Sequence, residues 1–368
     1  MRTVLAHEWL LSSSGSDKVA AEIARALDVT RVITAVADPD VVQNLMPGRR
    51  VDTLWTDHLP RVRTNWMRYA PAIMAAWSGL KIKEADVLVS SSHFAAKAAG
   101  SRFNGRHVTY CHSPMRYAWR PDLEGDRLRG ASSRAGKALR PGLQGWDRWS
   151  AKSVDLFIAN SRSIAQRIED CYDRPAVVVH PPVDIERFAA IDRISPVGQG
   201  AYYLCFGRLV AYKRIDLAVE ACTRLSLPLV VAGRGPELSA LRAMAGPTVS
   251  FEEHVSDARY LELLADARGL LFPGEEDFGI VPVEAMAAGV PVIAFGEGGV
   301  LDTVIDGVTG VLFPEQRSVS VIGALETAAK SLWDRKKLNT QTESFRTSDF
   351  HEVLRSSFEH SQPPPTKN

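Results

Sequence analysis

Two carboxylates, Glu276 and Glu284, are separated by seven residues in the tract FPGEEDFGIVPVEAMAAGVPVIAFGEGG that begins at Phe272. The run EAMAAG from Glu284 reads as the first turns of a helix. Pro282 lies near its start, where a missing N–H is harmless, and Gly289 ends it. VPVIAF from Val290 reads as a strand. A helix start offers free amides and a positive dipole end to its neighbours, here Glu276 and the loop Asp277-Phe278-Gly279 leading to Ile280. Amides and carboxylates together can hold an anion or a polyhydroxyl group. The same pattern also fits a plain β–α connection with solvated acids.

Cations lie upstream. GRLVAYKR from Gly207 places Arg208 and Lys213 five residues apart after a strand-like run. A guanidinium fork and a flexible ammonium at a strand-to-helix loop suit a diphosphate whose charge must be neutralised as a bond to it breaks. Surface ion pairing is the alternative, because Arg214 and Asp216 are close by. In GRGPE from Gly233, Gly233 and Gly235 permit a close backbone approach to a base or phosphate, with Glu237 opening the next helix. The chain has no G-x-x-x-x-G-K-[ST] loop and no full G-x-G-x-x-G after its first strand, which argues against an ATPase and a nicotinamide enzyme.

In the first half, His112 follows the strand-like VTYC and belongs at a strand end. Gly15, in the turn SSSGSDK, allows a ligand close to the backbone, with Ser14, Ser16 and Lys18 beside it. Ser161 can cap a helix after the strand that ends at Asn160. Asp38-Pro39-Asp40 resembles a metal-binding Asp-x-Asp, but Pro39 makes it a turn. Histidines and cysteines show no zinc spacing, so metal-independent chemistry is expected.

These residues need strands to present them. Short apolar runs at Val4, Arg31, Asp86, His107, Asp155 and Ala176 alternate with helical patterns such as VAAEIARAL from Val19. A second series starts at Ala201 and continues at Leu227, Val249, Gly269 and Val290. Alternating strands and helices predict mainly parallel sheets with ligands at the carboxyl ends of their strands. The expected organisation is an N-terminal domain over 1–190, a C-terminal domain over 191–345, and a terminal helix and tail over 346–368, the helix free to pack back on the first domain. The segment from Asp192 to Gly200 reads as the linker, and the tail from Gln362 reads as mobile.

At 368 residues the chain is too long for one ordinary core. Its 45% hydrophobic and 24% charged residues are those of a soluble globular protein. The N-terminus reads as a strand, not a signal peptide. Four cysteines without C-x-x-C spacing fit buried thiols in a reducing compartment. The net charge of +1 conceals an asymmetry. Residues 1–190 carry 27 Lys and Arg against 20 Asp and Glu, and residues 191–368 carry 17 against 23. The first half therefore suits an anionic partner, though no motif suggests nucleic acid. Two tracts mix arginines with apolar residues. One carries Arg61, Arg63, Arg68, Trp66, Met67, Tyr69, Met74 and Trp77. The other carries Arg127, Arg129, Arg134, Lys137 and Arg140. They fit either a headgroup surface or a helix core with ordinary charged faces.

Taken together and in order, GRLVAYK from Gly207, VVAGRGPE from Val230, EDFGIVPVE from Glu276, GVTG from Gly307, YCHSPMRYAW from Tyr110 and IANS from Ile158 resemble a known family. It is the retaining GT-B glycosyltransferases called family 4, and in particular its mannosyltransferase-like members. The resemblance covers nearly the whole chain. It implies a GT-B architecture of two Rossmann-like α/β domains facing a central cleft. It implies that Glu276 contacts the donor sugar, that the Asp277-Phe278-Gly279-Ile280 backbone holds sugar or phosphates, and that Glu284 accepts hydrogen bonds from ribose hydroxyls. Arg208 and Lys213 become the diphosphate clamp, with Gly15 and Gly233 beside the nucleotide. His112 contacts the donor sugar and stabilises the reacting centre. Two consecutive glycines common in relatives are replaced here by Ser14-Gly15-Ser16.

The implied activity is retaining transfer of α-mannose from GDP-mannose, with no cofactor or metal, to a glycan or lipid-linked glycan. The enzyme would be cytoplasmic, peripheral at an anionic membrane face. A UDP-hexose or UDP-N-acetylhexosamine donor, a nucleotide-sugar isomerase or epimerase, and a non-enzymatic sugar-binding protein are the competing readings.

Overall fold

The computed structural model describes residues 2–123 and 134–360, which form two compact α/β units. In the first unit seven strands run parallel: β1 Thr3–His7, β2 Arg31–Thr34, β3 Arg50–Thr53, β4 Val87–Ser92, β5 Arg106–Cys111, β6 Leu156–Ala159 and β7 Ala176–Val178. Their order is β3-β2-β1-β4-β5-β6-β7. All six residues of β4 are buried, as expected of a central parallel strand covered on both faces. β3, with the sequence RVDT, was not legible as a strand. It is a polar edge strand without an apolar pattern, and Asp52 is pinned between Arg31 and Arg50 at 2.7 and 2.8 Å.

The second unit contains six parallel strands: β8 Tyr202–Phe206, β9 Leu229–Ala232, β10 Val249–Glu252, β11 Ala267–Phe272, β12 Val292–Phe295 and β13 Gly310–Phe313. Their order is β10-β9-β8-β11-β12-β13. In each sheet the order reverses direction beside the first strand of the series, β1 or β8. That is the place where the loops after neighbouring strands diverge and leave room for a ligand.

The second unit begins at Val183, not at 191. Asp184 caps the helix Ile185–Ala189 by accepting the Arg187 N–H at 3.3 Å, and Ile185 and Phe188 join the second core. The segment from Asp192 to Gly200 is no free linker either. Arg193 donates to the carbonyls of Leu264 and Ala267 at 3.0 and 2.8 Å, tying it to the second sheet.

The helix Thr347–His360 belongs to the first unit. Phe350, Leu354 and Phe358 recur every four residues, so they share one face. That face packs into the cluster of Leu5, Val19, Ile23 and Tyr110. Arg355 Nε caps the helix Gly15–Ala26 by donating to the Ala26 carbonyl at 2.7 Å, and His351 Nε2 lies 2.9 Å from Glu22 Oε2. Residues beyond 360, including the tail, lie outside the described residues.

The Phe350 side chain fills core between two helices and the sheet. Phe350→Ala is expected to lower the stability of the first unit by about 3–5 kcal/mol. A shifted midpoint in urea, followed by fluorescence or hydrogen exchange in this unit, measures it.

Candidate functional site

The loops after β8, β9 and β11 touch backbone to backbone. Gly233 has φ +145°, and a Cβ on it would sit 1.9 Å from the Gly207 carbonyl oxygen. A Cβ on Gly235 would meet the Leu209 oxygen at 1.9 Å, and one on Gly274 would meet Lys213 Cα at 2.6 Å. These glycines therefore have a packing reason to be glycine, whatever they bind.

This packing brings Lys213, in the short turn Ala211–Lys213, to Glu276, in the loop after β11. Lys213 Nζ lies 2.7 Å from Glu276 Oε1, with both side chains mostly covered. Burial works against the ammonium, but attraction to Glu276 outweighs it and raises the Lys213 pKa above its ordinary value. Arg214 takes Asp216 as its partner at 3.1 Å. Arg208 is exposed and, among the described residues, has no ion-pair partner. The ion-pair alternative thus applies to Arg214 and, in a different form, to Lys213.

The loop around Glu276 is held from behind. The Gly299 N–H donates to the Glu276 carbonyl at 2.8 Å, and a Cβ on Gly299 would lie 2.2 Å from Phe278 Cα. Asp277 is buried, and the Phe278 ring sits in the core edge-on to Phe345 at 5.6 Å. Only the backbone of Phe278 is left for a ligand. Gly279, with φ +87°, starts the helix Ile280–Ala287. The helix begins four residues before Glu284, so Glu284 is in its second turn. The sequence reading placed it in the first. Ile280 and Val281 are partly buried, and their apolar character hid the true start.

Glu284 is oriented by a residue the sequence reading missed. Tyr260, on the helix Asp257–Ala265, donates its hydroxyl to Glu284 Oε2 at 3.1 Å. The Tyr260 ring is stacked on Phe206 with centroids 3.7 Å apart and planes 10° apart. Burial, then the charge of Glu284, raises the Tyr260 pKa well above the ordinary tyrosine value, which keeps the hydroxyl a donor. Within DARYLELLA, Tyr260 reads only as one more residue of an apolar helix face.

In the first unit, His112 follows β5 as expected. Its N–H donates to the Ser92 carbonyl at 2.9 Å, and its own carbonyl accepts from Asn160 Nδ2 at 3.1 Å. Its Nε2 lies 2.8 Å from Ser91 Oγ. Burial, followed by the nearby His93 and His7, lowers its pKa well below the ordinary histidine value. Ser161 caps the next helix through the Ile164 N–H at 3.1 Å. Gly15 is the exposed first residue of its helix, and Lys18 is exposed nearby. Asp38 accepts the Asp40 N–H at 3.0 Å and caps the helix Pro39–Leu45, as the turn reading requires. Among the described residues no group of three or more His, Cys, Asp or Glu side chains is arranged to hold a metal.

Glu8 was also missed. It is fully buried, and its Oε1 accepts from Ser92 Oγ at 2.8 Å and from the amides of His93, Phe94, Ala95 and Ala96 at 2.8–3.1 Å. Burial opposes its charge, but His93 and the Ala96 and Ala95 amides outweigh it and hold its pKa below the ordinary value. Its signal was a polar pair, His7-Glu8, at the end of an otherwise apolar first strand.

The mixed tract around Arg61 is sorted by the fold. Trp77 is fully buried, and the partly buried Trp66 packs against the core with its ring 4.1 Å from that of Trp9. Arg61 and Arg68 face solvent, and Arg63 lies 3.5 Å from Asp57. In the second tract Arg140 is spent on the Ala118 and Trp119 carbonyls at 2.8 and 3.2 Å. Arg127 and Arg129, and the side chains of Arg134 and Lys137, lie outside the described residues. Among the described residues no helix is long and apolar enough to cross a membrane.

Two family models tile the chain. Residues 14–187 match "Glycosyltransferase Family 4", and residues 187–344 match "Glycosyl transferases group 1". The chain belongs to this superfamily of GT-B-fold glycosyltransferases. It is similar to the D-inositol 3-phosphate glycosyltransferase of Geodermatophilus obscurus, at 34% identity over 43% of this chain and 42% of that protein. It is also similar to the GDP-mannose-dependent alpha-(1-6)-phosphatidylinositol monomannoside mannosyltransferase of Mycolicibacterium smegmatis, at 31% identity over 43% of this chain and 49% of that one. The match thus spans less than half the length of either relative. Among solved structures, the lipopolysaccharide outer core galactosyltransferase WaaB in its apo form superimposes with a TM-score of 0.72 at 14% identity, covering 98% of this chain and 100% of that one. That likeness establishes the fold.

Tyr260→Phe removes the hydroxyl that aims Glu284 and keeps the ring stacked on Phe206. It is expected to weaken nucleoside diphosphate binding about fivefold, on the order of one hydrogen bond, without loss of stability. Calorimetric titration with GDP and UDP measures this. Unchanged affinity for both would detach Tyr260 from ligand binding.

Proposed function

We propose that the protein is a retaining glycosyltransferase that moves an α-mannosyl unit from GDP-mannose to a glycan or lipid-linked glycan. The observation that carries this reading is the mostly covered Lys213–Glu276 pair at 2.7 Å, with the exposed Arg208 on the same loop as Lys213. A lysine kept charged against burial, with a guanidinium nearby, suits a leaving nucleoside diphosphate whose negative charge grows in the transition state. Glu276 is assigned to the donor sugar and Glu284, steadied by Tyr260, to the ribose hydroxyls. The amides that open the helix Ile280–Ala287 at Gly279 are assigned to sugar or phosphate oxygens. Gly233 and Gly15 are assigned to the nucleotide through their backbones.

In the first unit, His112 is assigned to the donor sugar. Its low basicity suits a neutral hydrogen-bonding ring better than a general base. Deprotonation of the acceptor hydroxyl then falls to a leaving phosphate oxygen. The mannose and guanine assignments draw on the mannosyltransferase-like sequence pattern and on the similarity to a relative whose name specifies GDP-mannose. Arg61 and Arg68 are the exposed cations of the first tract available to an anionic membrane face.

The test is product mass and linkage analysis with GDP- and UDP-sugars against lipid-linked and soluble acceptors. An α-linked mannosyl product from GDP-mannose is expected. A β-linked product overturns retention, and efficient UDP-sugar transfer with no turnover of GDP-mannose overturns the donor. Lys213→Ala should lower kcat about 10²–10³-fold, the scale of losing one preorganised group that stabilises developing charge. His112→Ala should reduce turnover more than GDP affinity, as separate kcat and GDP-titration measurements would show.

A further inference from the structure

The helix Arg134–Ala151 of the first unit has an inward side and an open side. Arg140, Gln144, Asp147 and Ala151 recur at helical spacing and make the inward side. Arg140 and Gln144 donate to the Ala118 carbonyl at 2.8 and 3.0 Å, and Asp147 and Ala151 are buried. Asp147 is the one acidic residue of the helix. One of its oxygens pairs with Lys97 Nζ, and the other accepts from Trp119 Nε1 and from the Tyr172 hydroxyl, each at 2.7 Å. The carboxylate is spent inside the protein, so the helix shows no negative side chain to the outside.

Leu139, Gly142, Trp146 and Trp149 recur at intervals of three, four and three residues, and so share a different side. Leu139 is 67% exposed and Trp149 is 44% exposed. Trp146 is partly buried against the core, with its ring 6.2 Å from that of Trp149. A Cβ on Gly142 or on Gly145 would meet no atom within 4 Å, so the helix backbone between these side chains is open.

Charge selects the occupant. The helix carries Arg134, Lys137, Arg140 and Arg148, and Lys152 follows it. Arg148 and Lys152 are exposed. Arg148 is also fixed in place, stacked on the Trp119 ring at 4.7 Å and donating its Nε to the Cys171 carbonyl at 3.0 Å. Leucine and indole side chains enter the headgroup boundary of a bilayer, and neighbouring cations are drawn to negative headgroups. A second copy of this helix would set cations against cations. A stripe one helix wide is also small beside the roughly 1,200–2,000 Å² that a stable protein pair buries.

We propose that the helix Arg134–Ala151 docks on an anionic lipid bilayer through Leu139, Trp146 and Trp149. The proposal rests on the reading of an anionic membrane face as a partner. It adds to Arg61 and Arg68 an apolar contact that they lack.

The experiment is flotation of the full chain with vesicles of phosphatidylcholine and phosphatidylglycerol in equal parts, and with phosphatidylcholine alone. The wild type is expected to bind the anionic vesicles about tenfold more tightly than the neutral ones, and less tightly as salt rises. The double variant Leu139→Ser, Trp149→Ser should lose about tenfold in affinity for the anionic vesicles, because it removes the apolar burial. Lys152→Gln should lose about fivefold. Both variants change exposed residues, and transfer to a soluble acceptor should be unchanged in them. Wild-type protein that fails to float with anionic vesicles overturns the proposal. So does a folded double variant that binds them as the wild type does. A wild-type dimer that the double variant breaks, without vesicle binding, identifies a second copy as the occupant and also overturns it. Flotation needs neither donor nor acceptor. Docking without mannosyl transfer therefore defeats only the sugar-transfer reading, and transfer by a protein that does not dock defeats only this one.

Discussion

How closely three β–α loops approach one another governs the candidate site of the second unit, and that approach is steric before it is chemical. A Cβ at Gly233 or Gly235 would fall within 1.9 Å of a carbonyl oxygen on the β8 loop, and one at Gly274 would strike the Lys213 backbone. With those positions empty, Lys213 and Glu276 meet from separate loops. The meeting has a thermodynamic consequence. An anion approaching Lys213 does not find a bare charge. It competes with Glu276, so its binding is an exchange of partners, weaker than an unpaired lysine would give but sensitive to what Glu276 gains in return. If Glu276 gains sugar hydroxyls, the exchange favours a ligand carrying sugar and phosphate over phosphate alone.

The first unit organises its strand ends in the opposite manner. Glu8 places one charge in the interior and gathers four consecutive amides and a hydroxyl around it. The amides after β4 are thereby turned inward, toward protein, and cannot serve an outside anion. The second unit leaves the amides after Gly279 at the start of a helix. Two sheets of similar topology thus differ in which charge their loops can receive. The charge asymmetry of the sequence, basic in the first half, does not disclose this difference.

Much of the architecture was legible because parallel strands buried on both faces are nearly uniform in hydrophobicity, and Leu229–Ala232 stands out for that reason. β3 escaped notice because an edge strand need not be apolar. The start of the helix at Ile280 was obscured because Ile280 and Val281 look like loop packing. Among the candidate functional residues of the two units, those that stood out had charge and spacing: Arg208, Lys213, Glu276 and Glu284 in the second, and His112 in the first. The residues that hold them did not. Tyr260 and Ser91 are brought to their partners by helix packing and sheet register, and sequence distance carries no trace of that. The packing of Phe278 into the core and of Trp77 below the surface was hidden for the same reason, since an aromatic side chain in sequence does not disclose which way it faces.

The return of the helix Thr347–His360 to the first unit also bears on the order in which the protein can be assembled during synthesis. Apart from Asp122 and Leu123, the described residues of the second unit run from Val183 to Arg346, and its core can be completed as soon as that stretch has left the ribosome. The first unit is translated earlier yet must wait, because Phe350, Leu354 and Phe358 cover a face of its core and arrive last. For the time needed to translate the second unit, the first stands with an apolar surface uncovered, the condition under which nascent chains call on chaperones. The N-terminal half is thus the later of the two to mature.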